Sequence, residues 1–214
     1  MANLPPLLID IPRNPVFAVG LPLGLGVATG FLTRRGAHST DSLWYKSLKK
    51  PSFQPPPQAF GIVWPLLYLS MGYASHLTVR ALDRTPPGLG RDQAKLSLTL
   101  YYVQLALNMA WSPLMFAAGS LSASLGGILA LDAAAAAWTA NLRKTSKDAA
   151  LLTLPYLGWL AYATAINASI WYQNGGSDSI DKLVGKAKKG SDKAGKEAEK
   201  AKDKAKDAVD ELKK

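Results

Sequence analysis

The sequence has no cysteine and only two histidines, and long parts of it carry no charged residue. Without cysteine there is no disulfide, no thiolate metal site and no cysteine nucleophile. His38 and His76 alone offer little for metal chemistry, so no metal site is predicted. There is also no glycine-rich phosphate loop and no G-x-S-x-G nucleophile elbow. These absences exclude enzymes that depend on a cysteine nucleophile, a thiolate-bound metal, a glycine-rich phosphate loop or a G-x-S-x-G serine elbow.

Charged residues are missing from four runs that together make up more than half of the 214-residue chain. An apolar helix of about 20 residues crosses the hydrocarbon core of a bilayer, so uncharged runs of this length predict membrane spans. The chain is therefore predicted to be a multi-pass integral membrane protein with the lipid bilayer as a partner. The runs are residues 15–33, 51–79, 96–131 and 149–177.

The net charge of +10 comes from the segments outside these runs. In a membrane protein, basic loop residues reflect the positive-inside bias and contact with anionic lipid. We therefore predict no nucleic-acid partner.

Proline, glycine and charge divide the uncharged runs into five predicted helices. As a single helix, the run 96–131 would be about 54 Å long, which is too long for one crossing. It is predicted to break at residues 118–120, where Gly119 lies between Ala118 and Ser120. The five predicted spans are about 15–33, 58–80, 94–116, 121–142 and 149–173.

The fold class is therefore predicted to be all-α, an integral membrane bundle of five transmembrane helices with a charged C-terminal tail. Residues 1–14 are a lead-in, residues 15–174 the membrane domain, and residues 175–214 a tail rich in Lys, Ala, Asp and Glu. The apolar residues of the tail are mostly alanine, which buries little surface. Two readings stay open: a marginal helix or disordered segment in water, or an amphipathic helix on an anionic membrane surface.

Aromatic and polar side chains inside the predicted spans are the candidate ligand contacts. The indoles of Trp64, Trp111 and Trp159 would make a slot for a flat apolar ligand, with plain helix packing or lipid contact as the alternative. Gln104 and Asn108 share one helix face and predict either interhelical hydrogen bonds or direct ligand contacts.

Asp132 is the one ionisable residue deep within a predicted span. A carboxyl group in hydrocarbon is costly, so it is a functional candidate by default. No basic residue in the spans can pair with it, and we expect it to be protonated or hydrogen-bonded to a neighbouring helix.

Five motifs, each in a different part of the membrane domain, carry a resemblance to a known family. They are W-Y-x-x-L-x-K-P-S-F-x-P-P at 44–56, F-G-x-V-W-P-x-L-Y at 60–68, M-G-Y-x-S at 71–75, L-Y-x-x-Q-L-A-L-N-x-x-W-x-P at 100–113 and P-Y-L-x-W-L-x-x-A-x-x-x-N at 155–167. In this order they resemble the translocator protein family, also called tryptophan-rich sensory proteins or peripheral benzodiazepine receptors. The resemblance covers roughly residues 15–174.

The resemblance implies five transmembrane helices around a ligand pocket, and a homodimer. It implies a receptor or translocator that binds hydrophobic planar ligands, chiefly porphyrin or haem-type tetrapyrroles, for sensing, sequestration or transport, with no required cofactor. Eukaryotic members are typically found in the mitochondrial outer membrane, and plant members in secretory-pathway membranes. The implied ligand-binding residues are Tyr45, Pro55, Trp64, Tyr68, Asn108, Trp111, Trp159, Ala163 and Ile166.

Two alternatives follow from the same resemblance, and they leave open whether the chain is an enzyme, although we favour binding alone. The first is light-dependent porphyrin breakdown, in which Trp64 and Trp159 would be the reactive residues. The second is sterol or lipid transport. The sterol motif proposed for helix five is incomplete here, because Ala168 replaces its tyrosine and Tyr172 its basic residue.

Overall fold

The computed structural model describes residues 4–34 and 37–176, and these residues form seven α-helices and no β-strand. The all-α prediction is therefore confirmed. The prediction made for the tail at 177–214 lies outside the described residues. The helices are α1 (Pro6–Arg13), α2 (Pro15–Thr33), α3 (Leu43–Ser47), α4 (Pro57–Arg84), α5 (Leu89–Ser112), α6 (Leu121–Thr145) and α7 (Lys147–Gln173).

The five long helices, α2, α4, α5, α6 and α7, coincide with the predicted spans to within a few residues. The predicted break between α5 and α6 is also present. Pro113 opens a π-helical segment, Pro113–Ala117, and the chain then turns at Gly119, whose φ of 64° favours glycine. Ser120 caps α6 by accepting a hydrogen bond from the Ala123 N–H.

Not every long helix is equally apolar. In the described part of the chain, α6 and α7 are long and apolar enough to cross a membrane, and α1 with α2, if that bent pair is one span, adds a third. Helices α4 and α5 carry many tyrosine, serine and amide side chains, which lower their apolar character. The count of five crossings therefore stays a prediction.

The long helices run alternately up and down, which gives the bundle two distinct ends. The α1 end comprises α1, the turn between α4 and α5 and the turn at Ser146. The loop end comprises the described residues of the loop 34–56, which include the short helix α3, together with the break at 118–120 and the last residues of α7. Helix α4 packs against α2, α5 and α7, while α6 packs against α5 and α7.

The lead-in contains a helix, α1, which the sequence did not predict. It is bent by 106° from α2. The Arg13 guanidinium donates to the Asp83 carboxylate at 2.9 Å, and the Tyr102 hydroxyl donates to the Leu8 carbonyl at 2.8 Å. The guanidinium holds the pKa of the Asp83 carboxyl below its ordinary value. Because the ion pair is exposed, its stabilisation is small, and the helix is held by its packing as well.

Helices α2 and α4 approach closely at Gly72. A Cβ at this position would lie 2.5 Å from the Ala18 carbonyl oxygen and 2.8 Å from the Val19 Cα, and both are backbone atoms. The two helices would have to separate to admit a side chain, so we expect Gly72→Ala to lower the free energy of unfolding by about 1–3 kcal/mol. The melting temperature followed by circular dichroism in detergent measures this.

The matched control is Gly20→Ala on α2, where an added Cβ would meet no atom of another helix within 4 Å. Because alanine favours helix over glycine, this change should leave the melting temperature unchanged or raise it slightly. An equal loss of stability in both variants would contradict the close approach at Gly72.

Candidate ligand-binding site

A chain of hydrogen bonds joins α4, α5 and α7 in the middle of the bundle. The Tyr68 hydroxyl donates to Asn108 Oδ1 at 2.9 Å, and Asn108 Nδ2 donates to the Tyr156 hydroxyl at 3.0 Å. The Tyr156 hydroxyl in turn donates to Gln104 Oε1 at 2.8 Å. All four residues are buried. Each hydroxyl and each amide has a partner. These four side chains therefore form a fully hydrogen-bonded group inside an apolar bundle, which we call the polar layer.

Each of three tryptophans lies three or four residues from a member of this layer, on the same face of its helix. Helix α4 starts at the loop end, whereas α5 and α7 finish there, so all three indoles lie on the loop side of the layer. The polar layer therefore separates a tryptophan-lined region from the core at the α1 end. The pairs are Trp64 with Tyr68, Trp111 with Asn108, and Trp159 with Tyr156.

The Trp64 ring stacks on the Tyr68 ring, with centroids 5.6 Å apart and an interplanar angle of 28°. Gly26 of α2 makes room for the tyrosine, because a Cβ there would lie 2.1 Å from Tyr68 Cε2. The layer thus depends on a glycine in a helix that contributes no polar group to it.

Trp159 lies in a second aromatic group with Phe60, Tyr162 and Phe53. Its ring contacts Phe60 edge-on at 5.6 Å, and it contacts Tyr162 at the same distance. The Tyr162 hydroxyl donates to the Phe53 carbonyl at 2.6 Å, which ties α7 to the loop that precedes α4.

Trp111 belongs to a third group, which is covered by the same loop. Its ring meets Phe116 edge-on at 5.9 Å, and Phe116 contacts Tyr45 at 5.7 Å. Ile166 packs in this group, and so does Tyr162, which links it to the group around Trp159. The two aromatic groups are therefore continuous.

One loop cation lies against this region. Lys50 Nζ is 4.1 Å from the centroid of the Tyr45 ring, within the range of a cation–π contact. Burial raises the pKa of the Tyr45 hydroxyl, whose partner is Gln54 Nε2 at 3.4 Å. Burial also lowers the pKa of the Lys50 ammonium. The loop therefore keeps its aromatic face neutral and places one positive charge on it.

Two indole N–H groups in this region are buried but unpaired. Within the described residues, neither Trp111 Nε1 nor Trp159 Nε1 has a hydrogen-bond partner, and Gln54 Oε1 lacks one as well. A buried polar atom without a partner costs about 1–3 kcal/mol. These atoms are therefore unused hydrogen-bonding groups within the aromatic region.

Comparison with known proteins decides the family. A sequence match to the TspO/MBR family spans residues 18–172. The chain belongs to the TspO/MBR family. It is 40% identical to the translocator protein of Homo sapiens over 165 residues, which cover 77% of this chain and 93% of the relative.

Similarity within the TspO/MBR family extends to archaea and bacteria. The chain is 35% identical to the tryptophan-rich protein TspO of Archaeoglobus fulgidus, over 71% of this chain and 91% of that protein. It is 30% identical to the protein CrtK of Rhodobacter capsulatus, over 68% of this chain and 87% of the relative. The tail at 177–214 lies beyond the family match.

The structure brings most of the residues predicted from the family resemblance into these groups. Trp64, Tyr68, Asn108 and Trp159 lie at the polar layer or directly beside it, and Tyr45, Trp111 and Ile166 lie in the third aromatic group. Ala163 is half-buried on α7 between Trp159 and Ile166, and Pro55 is half-buried in the loop just before α4. Their role as ligand contacts stays a prediction.

Several residues of the region were not predicted as site residues. Tyr156 is the central member of the polar layer, and Phe53, Phe60 and Phe116 are ring partners of the predicted residues. The tyrosine gave a signal in the sequence, because it lies three residues before Trp159. Gln104 and Asn108 make interhelical hydrogen bonds, as one of the two readings of these amides expected.

Asp132 finds its partner on a neighbouring helix. The Thr164 hydroxyl of α7 donates to Asp132 Oδ2 of α6 at 2.7 Å. The residue is half-buried and does not join the polar layer. The expectation of a hydrogen bond to a neighbouring helix is confirmed, and the contact joins α6 to α7.

We expect Tyr156→Phe to destabilise the bundle. The change deletes the hydroxyl that joins Asn108 Nδ2 to Gln104 Oε1, and it leaves two buried polar groups unpaired. Interhelical hydrogen bonds in membrane proteins are worth about 0.6–1.7 kcal/mol, so the loss of two should lower the melting temperature by several degrees. Thermal unfolding in detergent measures this.

Tyr172→Phe is the matched control, because Tyr172 is 80% exposed at the end of α7. Its melting temperature should equal that of the unaltered chain. If Tyr156→Phe also melts at that temperature, the polar layer does not hold the helices together.

Proposed function

We propose that this chain binds hydrophobic planar ligands of the porphyrin or haem type on the loop side of the polar layer, for sensing, sequestration or transport. The observation that carries the proposal is the pair of buried, unpaired indole N–H groups of Trp111 and Trp159 inside continuous aromatic groups. Aromatic rings suit the flat face of a tetrapyrrole, and N–H donors suit its carboxylates.

The loop 34–56 would be the entrance to this site. Its residues Tyr45 and Phe53 contact rings of the aromatic groups directly. Its Lys50 places a positive charge beside the region, which suits a ligand with carboxylate groups. On the opposite side the polar layer and the buried core block entry, so a ligand would displace loop residues rather than pass through the α1 end.

Two further readings of the same site follow from the resemblance. A light-dependent porphyrin-degrading enzyme would use Trp64 and Trp159, because indoles are easily oxidised beside an excited porphyrin. Sterol or lipid transport would use the same apolar region without photochemistry.

The proposal includes a homodimer, and it takes the mitochondrial outer membrane as the location, with a secretory-pathway membrane as the alternative.

A porphyrin titration tests the site. In darkness, protoporphyrin added to the purified chain should quench tryptophan fluorescence. Trp111→Phe and Trp159→Phe should each weaken affinity by about threefold to tenfold, because one hydrogen bond of about 0.5–1.5 kcal/mol is lost. Trp138→Phe is the matched control, since Trp138 is fully buried on α6 at the α1 end of the bundle. Absence of quenching in the unaltered chain would contradict the proposal.

Illumination and competition separate the readings. Loss of the porphyrin absorption band only in light, and not in a double variant Trp64→Phe with Trp159→Phe, would favour the enzyme. A band that is stable in light would favour binding alone. Displacement of porphyrin by a sterol would favour a shared site for sterols, and failure to displace it would count against sterol transport through this region.

A further inference from the structure

A shallow surface cleft, open along most of its boundary and with a volume of about 580 Å³, lies between α4 and α7, towards the α1 end. A smaller cleft of about 250 Å³ adjoins it and shares Leu77, Arg80 and Asp148 with it, while Arg84 lines the smaller cleft only. None of the predicted ligand-binding residues lines either cleft. The larger cleft is lined by Tyr73, Leu77, Arg80, Asp148, Leu151 and Leu152.

The cleft is amphipathic along the direction of α4. Tyr73 and Leu77 on α4 and Leu151 on α7 form an apolar wall, and Leu151 is 62% exposed. Arg80 lies about 10 Å further along the helix from Tyr73, at 1.5 Å per residue. It is also the last residue of the second predicted span, where the headgroups of a bilayer begin. The apolar wall therefore faces the depth of acyl chains.

The rim of the cleft carries two cations and one anion. Arg80 and Arg84 are one helical turn apart on the same face of α4. Asp148 lies in the first turn of α7, where the helix dipole stabilises a carboxylate. Both ion pairs found within 4 Å in residues 4–34 and 37–176 involve Arg13, so these three exposed charges are not neutralised by one another.

We propose that this cleft is a binding site for a phospholipid with an ethanolamine headgroup. Arg80 and Arg84 bind the phosphodiester, since guanidinium groups match phosphate oxygens. The Asp148 carboxylate accepts hydrogen bonds from the ammonium, and one acyl chain lies along Tyr73, Leu77 and Leu151. A choline headgroup has no N–H to donate to the carboxylate, and a glycerol headgroup has no positive charge to place beside it.

Native mass spectrometry of the full chain in detergent tests the site with three dioleoyl lipids that carry ethanolamine, choline or glycerol headgroups. The unaltered chain should retain the ethanolamine lipid best. The double variant Arg80→Gln with Arg84→Gln should bind it about tenfold more weakly, which corresponds to about 1.4 kcal/mol. The matched control, Arg143→Gln with Lys144→Gln, removes two exposed charges of α6 that do not line the cleft. It should change the affinity less than about twofold.

Asp148→Asn tests the headgroup. It should abolish the preference for ethanolamine over glycerol, because that preference comes from the attraction between the ammonium charge and the carboxylate, while binding through the phosphate persists. Tighter binding of the glycerol lipid to the unaltered chain, or an equal loss in the α6 control, would overturn the proposal. All these side chains are exposed, so the variants should fold normally. Their porphyrin affinity should also be unchanged, which would show that the cleft is separate from the proposed tetrapyrrole site.

Discussion

The hydrogen-bonded layer of Tyr68, Asn108, Tyr156 and Gln104 is the constraint on which the rest of the bundle depends. Lipid offers no hydrogen bond to a buried amide or hydroxyl, so each polar group in a span must find its partner in another helix. This requirement fixes the rotation of α4, α5 and α7 about their own axes. Rotation of any one of them would leave at least two groups unpaired, and it would also turn away the indole that lies next to the layer on that helix.

The loop end is built around the same constraint. Once the indoles lie on one side of the layer, their rings need a cover, and the loop 34–56 provides it. Asn174, just after α7, donates to the Lys49 carbonyl at 3.0 Å and accepts from the Lys49 N–H at 3.1 Å. The Tyr162 hydroxyl holds the Phe53 carbonyl further along the loop. The cover is thus attached to α7 at two points, and the segment between them carries Lys50 over Tyr45.

The sequence predicts the local structure well and the contacts between helices less well. The helix break depends on Gly119 and Ser120, and the shared face of Gln104 and Asn108 depends on helical spacing alone, so both could be derived from neighbouring residues. The roles of Phe60 and Phe116 could not, because a ring contact depends on the relative rotation of two helices. The family motifs identified some of the site residues that helical spacing alone cannot identify. The fifth motif contains Tyr156 as well as Trp159, but the resemblance implied a ligand-binding role for Trp64 and Trp159 and none for Tyr156, which connects them through the layer.

Helices α4 and α7 border both the aromatic region and the cleft, yet the two sites meet opposite physical requirements. Trp64 and Arg80 are 16 residues apart on α4, or roughly 24 Å, and the polar layer lies between them. The aromatic region is buried and relies on matched shapes, so a single lost atom there is costly. The cleft is open and its charged side chains are exposed, so substitutions there should cost the bundle little. One pair of helices can therefore carry the proposed buried site at one end and the proposed lipid site at the other.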